Sequence, residues 1–370
     1  MPDPVTASSI QDVVNFYLEN FMAGTWADAA RSYQHYVTAN ELFTNRRTKG
    51  AMSEKCSYNL KVRSADNTVA DSFFKADSLN RADLGIKGEV KWHFQKTHFM
   101  VDAREPAMGS GSETQILDYL KMQESDMYDG FFEKNEDWFW TLPASPNDGT
   151  GGDPLPFGIP YWVVQDATAA FGFNGGHPGS YNDVGGVSRE TYPKTKNGTF
   201  TYASMSNEDF GKKLSESLDK CHFRPPRPSA ETVASRSTYQ LYSPYKPYVD
   251  YQDLLYNSND NIGTDMGKYR GGSPTDGAGV QYFRGIPWSW VPALTEVGGT
   301  ARDLNEPIYG LNWSTLNVKT YADWFMKRSA PINLDDAHNT VVQWMDTGYQ
   351  YYCTDSRANF VARAATASTT

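Results

Sequence analysis

Residues 88–102, GEVKWHFQKTHFMVD, alternate Val90, Trp92 and Phe94 with Glu89, Lys91, His93 and Gln95, the period-2 pattern of a half-buried strand. Residues 57–64, SYNLKVRS, set Tyr58, Leu60 and Val62 against Asn59, Lys61 and Arg63 in the same way, so the two runs are expected to pair as a hairpin. The 23 residues between them, Ala65 to Lys87, exceed the roughly 12–15 residues beyond which an irregular connection is uncommon in a compact domain. Two strands alone are only marginally stable. The apolar face of this hairpin therefore needs cover from outside it.

The next segment changes period. GSGSETQILDYLKMQESDMYDGFFEKNEDWFW opens with Ser112 and, three residues on, Gln115, a capping-box signature. Ile116, Leu120, Met127 and Phe131 follow along one helical face, with Leu117, Tyr128 and Phe132 beside it. The spacing predicts one helix running through Gly130 to about Phe139, on the order of 40 Å long. Upstream, a partial helical period at Val13, Phe16, Tyr17, Phe21 and Met22 makes residues 10–43 an arm with a short helix. Downstream, PFGIPYWVVQ reads as a buried strand, and residues 172–186, with six glycines, as an irregular surface loop. Ser206 caps a second helix over SNEDFGKKLSESLDKCHF, with Asp209 near its start. A strand near STYQLYS, a short helix near YVDYQDLLYN and a loop over 257–279 come next. Strands close the chain at VQYFRGIPWSWVP, PIYGLNWSTLNV, NTVVQWM and YQYYC. No repeat of 20–50 residues is visible, which excludes a solenoid or propeller.

Composition sharpens this picture. A chain of 370 residues with 14% aromatic and 21% charged residues folds around a sizeable core, and its length favours about two domains. Ten Trp and 23 Tyr suit either sugar stacking or extensive subunit contacts. The net charge of -10, without a basic run, argues against gripping nucleic acid by its phosphates. Asp3, Asp12, Glu19 and Asp28 precede the first basic residue, Arg31, so no cleavable signal peptide is expected. No run of about 18 apolar residues offers a membrane span. Cys56, Cys221 and Cys353, odd in number and far apart, suit reduced thiols in a protein that folds in cytoplasm.

Catalytic chemistry is sparse. The six histidines are scattered, and His93 and His98, five apart on one strand, point to opposite faces. HExxH, CxxC, GxGxxG, a phosphate-binding Gly-Lys-Ser/Thr loop and GxSxG are all missing. Paired carboxylates remain: Asp335 with Asp336, Glu133 with Glu136 and Asp137, or Glu105, any of which a glycan-acting enzyme would need on opposite sides of a sugar bond. Asp335 and Asp336 also follow PINL as a helix cap would. Asn197-Gly-Thr and Asn312-Trp-Ser match the glycosylation pattern, which carries no weight without a secretion signal. The expectation is no enzyme, with no catalytic, cofactor or metal site.

The order of features is informative: an arm, a long hairpin, a long helix, a glycine-rich middle and returning strands. With DYLKMQESDMYDGFFEKNEDWFW, FRGIPWSWVPAL, EPIYGLNWSTLNV and VVQWMDTGYQYYCTDSRANFVAR, it resembles the major capsid proteins of tailed bacteriophages, of the Hong Kong 97-type fold. The resemblance spans about residues 45–363 and implies an α+β fold. It implies an N-terminal arm (1–50), an E-loop hairpin (51–108), a P-domain with its spine helix (109–200), an A-domain (201–290), and return strands of the P-domain with the C-terminus (291–370). It further implies hexamers and pentamers of an icosahedral head enclosing double-stranded DNA, assembled in host cytoplasm. The partners would be further copies of the chain, separate scaffolding and portal proteins, the packaged DNA without tight sequence-specific binding, and no membrane; a cement protein stays open. A scaffold domain of roughly 100 residues finds no room before the arm. No Lys and Asn pair for a covalent cross-link is matched. An encapsulin-like nanocompartment shares the fold and is the alternative.

Under that resemblance, the face of Tyr58, Leu60, Val62, Val90, Trp92 and Phe94 would find its cover on a neighbouring subunit. The hairpin tip at Phe73 and Phe74 and the arm at Phe16, Tyr17 and Phe21 complete the expected subunit contacts, ordinary intramolecular core being the alternative for each.

Overall fold

A computed structural model describes residues 37–50, 52–61, 85–102, 113–149, 152–179, 181–221, 239–257, 281–295, 307–334 and 337–365. A π-helical turn, Thr38–Thr44, leads into β1 (Arg47–Lys49), β2 (Lys55–Lys61), β3 (Gly85–Lys91) and β4 (His93–Asp102). The helix α1 (Glu113–Phe139) and a single turn α2 (Ile159–Trp162) follow, then β5 (Gly198–Tyr202), α3 (Lys212–Cys221), β6 (Tyr239–Ser243) and α4 (Tyr245–Asn257). The last third holds β7 (Gln281–Phe283), β8 (Ile286–Trp290), the turn α5 (Pro292–Thr295), β9 (Ile308–Asn312), β10 (Leu316–Thr320), β11 (Lys327–Arg328), β12 (Ile332–Leu334), β13 (Ala337–Cys353) and β14 (Phe360–Ala364).

These strands make two six-stranded sheets and one two-stranded ribbon. In the first sheet β13 is the spine: β10, β11 and β12 pair along one edge and β4 along the other, all antiparallel, while β1 adds parallel to β10. The second sheet is mixed, in the order β5-β14-β9-β6-β8-β7. Short connections carry the chain between the sheets from β9 to β10 and from β13 to β14. The crossings are tied side by side: Thr354 N donates to Thr315 O at 2.9 Å and Asn359 Nδ2 to Thr315 Oγ1 at 3.0 Å. One aromatic core, with Trp140, Trp162, Trp313, Phe139 and Tyr309, lies at this junction, and a second, with Phe200, Phe210, Trp288 and Phe360, lies under α3 and α4.

The long helix runs to Phe139 as its period predicts, burying Met127 and Phe131 against Met345 of β13. The cap at Ser112 and the arm helix over residues 10–22 lie outside the described residues. Ser206 does cap the second helix, its side chain accepting from Asp209 N, although the first turn, Asn207–Gly211, is π-helical before α3 begins. The three cysteines are free and buried.

Four expectations are corrected. The run 88–102 is two strands: β3 pairs with β2, the chain breaks at Trp92, and β4 joins β13 in a different sheet. The hairpin register sets Cys56 opposite Val90, Tyr58 opposite Gly88 and Leu60 opposite Ile86. Residues 159–162 form a helical turn rather than a strand, because Pro160 fixes φ and brings no N–H to a ladder. NTVVQWM and YQYYC are one strand of 17 residues, roughly 55 Å long. Finally, the glycine-rich stretch 172–186 is not all surface, since Gly175, Val184 and Gly185 are buried.

Candidate assembly surfaces

The hairpin root is the first site that the sequence singled out. Tyr58 drops its ring over Gly88, where a Cβ would stand 2.5 Å from Cζ, and packs against Trp162 and Tyr352 with ring centroids 6.0 and 5.5 Å away. Its hydroxyl donates to Gly185 O at 3.3 Å, and Glu89 N donates to the same carbonyl at 3.0 Å. Burial pushes the Tyr58 phenol well above its ordinary range. Val90 and Trp92 are buried beside it, Trp92 Nε1 donating to Ser53 O at 2.8 Å, and Leu60 packs on the same core. Tyr58, Val90 and Trp92, expected to find their cover on a neighbouring subunit, are buried within their own chain. Leu60 is half-buried against that same core. Phe94 is the exception, 57% exposed. Val62, Phe73, Phe74, Phe16, Tyr17 and Phe21 lie outside the described residues.

Phe94 belongs to a larger surface. Side chains alternate along β4, so Phe94, Lys96, His98 and Met100 share one face with their cross-strand partners Gly348, Asp346, Trp344 and Val342 of β13. Phe94 meets the Tyr321 ring at 5.2 Å. His98 lies on Trp344 at 4.4 Å. Lys327 of β11 sits opposite Asp346 and over the Trp324 ring at 4.4 Å. At the far end Met100 and Ile332, 54% and 52% exposed, flank the buried Val342. The hairpin and Tyr321 cover this face at the Tyr352 end. Beyond it Phe94, Met100, Ile332 and Trp324 form an exposed apolar strip with Lys96 and Lys327 in it. Continued alternation past Phe94 was the signal for Met100; nothing local announced Ile332 or Trp324.

The opposite face of the same sheet is closed by α1. Asn135 Nδ2 donates to Gln95 Oε1 at 3.0 Å and the Tyr349 hydroxyl donates to Asn135 Oδ1. Arg328 holds Tyr128 and Glu124 of the helix. His93 is wedged between Trp138 and Tyr349, with Nδ1 2.8 Å from Pro154 O, and burial pushes its pKa down to about 4. It stays neutral and inside. Among the described residues no cluster of His, Cys, Asp or Glu could hold a metal.

Glu136, one of the candidate catalytic carboxylates, is buried in α1. Its Oε2 accepts from Thr38 N at 2.9 Å and from Thr38 Oγ1 at 2.8 Å, and its Oε1 from Trp140 Nε1 at 2.7 Å. Oε2 holds the helical turn Thr38–Thr44 and Oε1 holds Trp140, and the side chain is buried, so no substrate reaches it. Glu105, Asp335 and Asp336 lie outside the described residues. No helix among the described residues is long and apolar enough to cross a membrane.

The arrangement, a sheet backed by one long helix and joined to a second mixed sheet, is a fold shared with a phage capsid chain. The chain superposes on the chain from the capsid asymmetric unit of cyanophage A-1(L) with a TM-score of 0.60 and 12% identity, over 91% of this chain and 94% of that one. Looser matches include the capsid of a native GTA particle (TM-score 0.49, 12% identity, 92% and 94% covered) and the holo-SrpI encapsulin of Synechococcus elongatus PCC 7942 (0.47, 11%, 94% and 94%). No protein-family model and no curated protein matches the sequence.

Proposed function

We propose that this chain is the major capsid protein of a tailed bacteriophage, a structural subunit that assembles into hexamers and pentamers of an icosahedral head around double-stranded DNA. The observation that carries this reading is the fold shared with the cyanophage capsid chain over nine-tenths of both chains. The open strip of Phe94, Met100, Ile332 and Trp324 supports it, since an apolar sheet face bare in one chain is suited to burial against another. The Hong Kong 97-type assignment takes residues 1–50 as the arm, 51–108 as the E-loop, 109–200 as the P-domain, 201–290 as the A-domain and 291–370 as returning strands. Phe73 and Phe74 at the hairpin tip, Phe16, Tyr17 and Phe21 of the arm, and Val62 then join Phe94 as subunit contacts. Scaffolding and portal proteins act as separate chains, and the site of action is the virion after assembly in host cytoplasm. The protein's action is assembly, not catalysis.

Electron microscopy with light scattering on the purified protein, alone and coexpressed with its neighbouring genes, tests this. Closed shells, rings of five or six, or curved sheets are expected. A homogeneous 41.5 kDa monomer under every condition overturns it. Shells loaded with a cargo protein instead of DNA transfer the chain to the nanocompartment reading.

A further inference from the structure

Arg189 is a buried cation held by neutral groups. Its Nη1 donates to Gly175 O at 3.2 Å, Gly176 O at 3.1 Å and Asn197 Oδ1 at 2.8 Å, and its Nη2 to Trp162 O at 2.7 Å. Among the described residues no carboxylate pairs with it; the titratable groups acting on it are Cys353, Tyr161 and Tyr58. Burial lowers its pKa only to about 10, so it stays charged at neutral pH. An unpaired buried charge is costly to desolvate, and four hydrogen bonds to carbonyl oxygens offset that cost. Replacing it by an apolar side chain would take the guanidinium donor from all four oxygens.

The acceptors define what the guanidinium fastens. Trp162 ends α2. Gly175 and Gly176 belong to the glycine-rich stretch. Asn197 immediately precedes β5 of the second sheet, and its own side chain accepts from Val164 N at 3.0 Å and donates to Val164 O and Gly198 O at 2.9 and 3.0 Å. Four residues before Arg189 the chain makes a tight turn, Val184 pairing with Val187 across Gly185 and Gly186, whose φ angles of 62° and 77° favour glycine. That turn is what the hairpin root grips. Gly185 O receives Tyr58 Oη and Glu89 N, and Gly185 N donates to Tyr161 Oη at 2.8 Å. A Cβ on Gly185 would overlap the Tyr58 hydroxyl.

We propose that Arg189 and the Gly185-Gly186 turn form a fastener that ties the β2–β3 hairpin to β5, so that Arg189 sets the direction of the hairpin and is a positioning residue for assembly although it touches no neighbouring subunit. The inference rests on the capsid reading for its consequence, the shape of the shell, but not for its cause, the coupling inside one chain. The β2–β3 ribbon is held at Tyr58 and Glu89, and a small rotation there moves its Lys61–Gly85 end by a larger distance. A residue that fixes the root therefore fixes where the hairpin meets another copy.

Amide hydrogen exchange and electron microscopy separate the two parts. In the wild-type protein across a denaturant series, Glu89, Gly185 and Val164 amides should open as one unit with a common denaturant dependence. Independent opening of Glu89 and Val164 overturns the coupling, with no variant needed. Tyr58→Phe, which removes one hydroxyl, should speed Glu89 exchange about tenfold and leave Tyr351 exchange in β13 unchanged. Arg189→Lys should speed Glu89 exchange as well, although the Arg189 hydrogen bonds go to Gly175, Gly176, Asn197 and Trp162 and none to β3; a wild-type rate there overturns the proposal. Shells of Arg189→Lys and Tyr58→Phe should show a broadened diameter distribution or open sheets. Wild-type diameters in both variants, with Glu89 exchange accelerated, overturn the positioning role. Absence of shells from the wild-type protein sinks the capsid reading instead, and the exchange data still decide the coupling.

Discussion

Glu136 holds Thr38 by two hydrogen bonds to one carboxylate oxygen, 2.9 Å from the amide and 2.8 Å from the hydroxyl. The residues are 98 positions apart, and the contact attaches the turn Thr38–Thr44 to α1 beside the first core. Desolvation raises the pKa of this carboxyl above 4.5 despite the donors around it, which include Val37, Thr38 and Trp140. Between 4.5 and the raised value the folded chain binds more protons than the unfolded one, so this group's contribution to stability falls as pH rises through that window and is fully present below it. Glu136→Gln should remove that component of the pH dependence and, at pH 7, cost about 1–3 kcal/mol because its amide turns donors toward Trp140 Nε1 or Thr38. Urea unfolding of both proteins between pH 4 and 8 measures it. Parallel profiles would show that Glu136 does not titrate in this way.

Two glycines should respond oppositely to alanine. Gly130 is an exposed position inside α1 with nothing within 4 Å of an added Cβ, so Gly130→Ala should stabilise by about 0.5–1 kcal/mol through helix propensity. Gly88 lies under the Tyr58 ring, and Gly88→Ala should destabilise by about 1–3 kcal/mol as the ring is displaced. Denaturant midpoints at constant slope give both values. Equal shifts of the same sign would mean that ring contact is not why residue 88 is glycine.

Legibility of the fold followed how local the cause was. The long helix was readable because Met127 and Phe131 repeat a period set by the helix itself. The strand β13 was misread as two because Asp346, Thr347 and Gly348 resemble a turn; Gly348 instead stays in register opposite Phe94, and its missing Cβ admits the Phe94 and Tyr321 side chains. The break at Trp92 could not be seen either, since alternation continues through it while its strand partner changes from β2 to β13. The same limit applied to the surfaces. Tyr58, Val90 and Trp92 were recognised as an apolar set in need of cover, but what covers them, Trp162, Tyr352 and Tyr321, comes from distant parts of the chain. Arg189 carried no local signal at all, because its four acceptors include three backbone carbonyls.

The thiols should be unreactive until the chain unfolds. Burial pushes Cys56 and Cys353 up to about 11 and Cys221 higher, so little thiolate exists at pH 8 and none of the three is accessible. An aromatic disulfide reagent at pH 8 should label fewer than one thiol per chain in minutes and all three in denaturant. Fast labelling of one thiol in the native protein would place an opening in the core that holds it.

The open strip on the first sheet predicts a separation of folding from assembly. Phe94 and Met100 are more than half exposed, so replacing both with serine removes little buried area and should shift the unfolding free energy by less than about 1 kcal/mol. If another copy covers the strip, the same change removes apolar area at the contact from every subunit at once, and a closed shell repeats that loss at each interface. Phe94→Ser with Met100→Ser should therefore unfold like the wild-type protein yet remain as unassembled subunits, or need several-fold higher concentration to form shells, by light scattering. Shells forming at the wild-type concentration would show that the strip faces solvent in the particle. A large loss of stability would show instead that Tyr321 and Val342 depend on those side chains for their own burial.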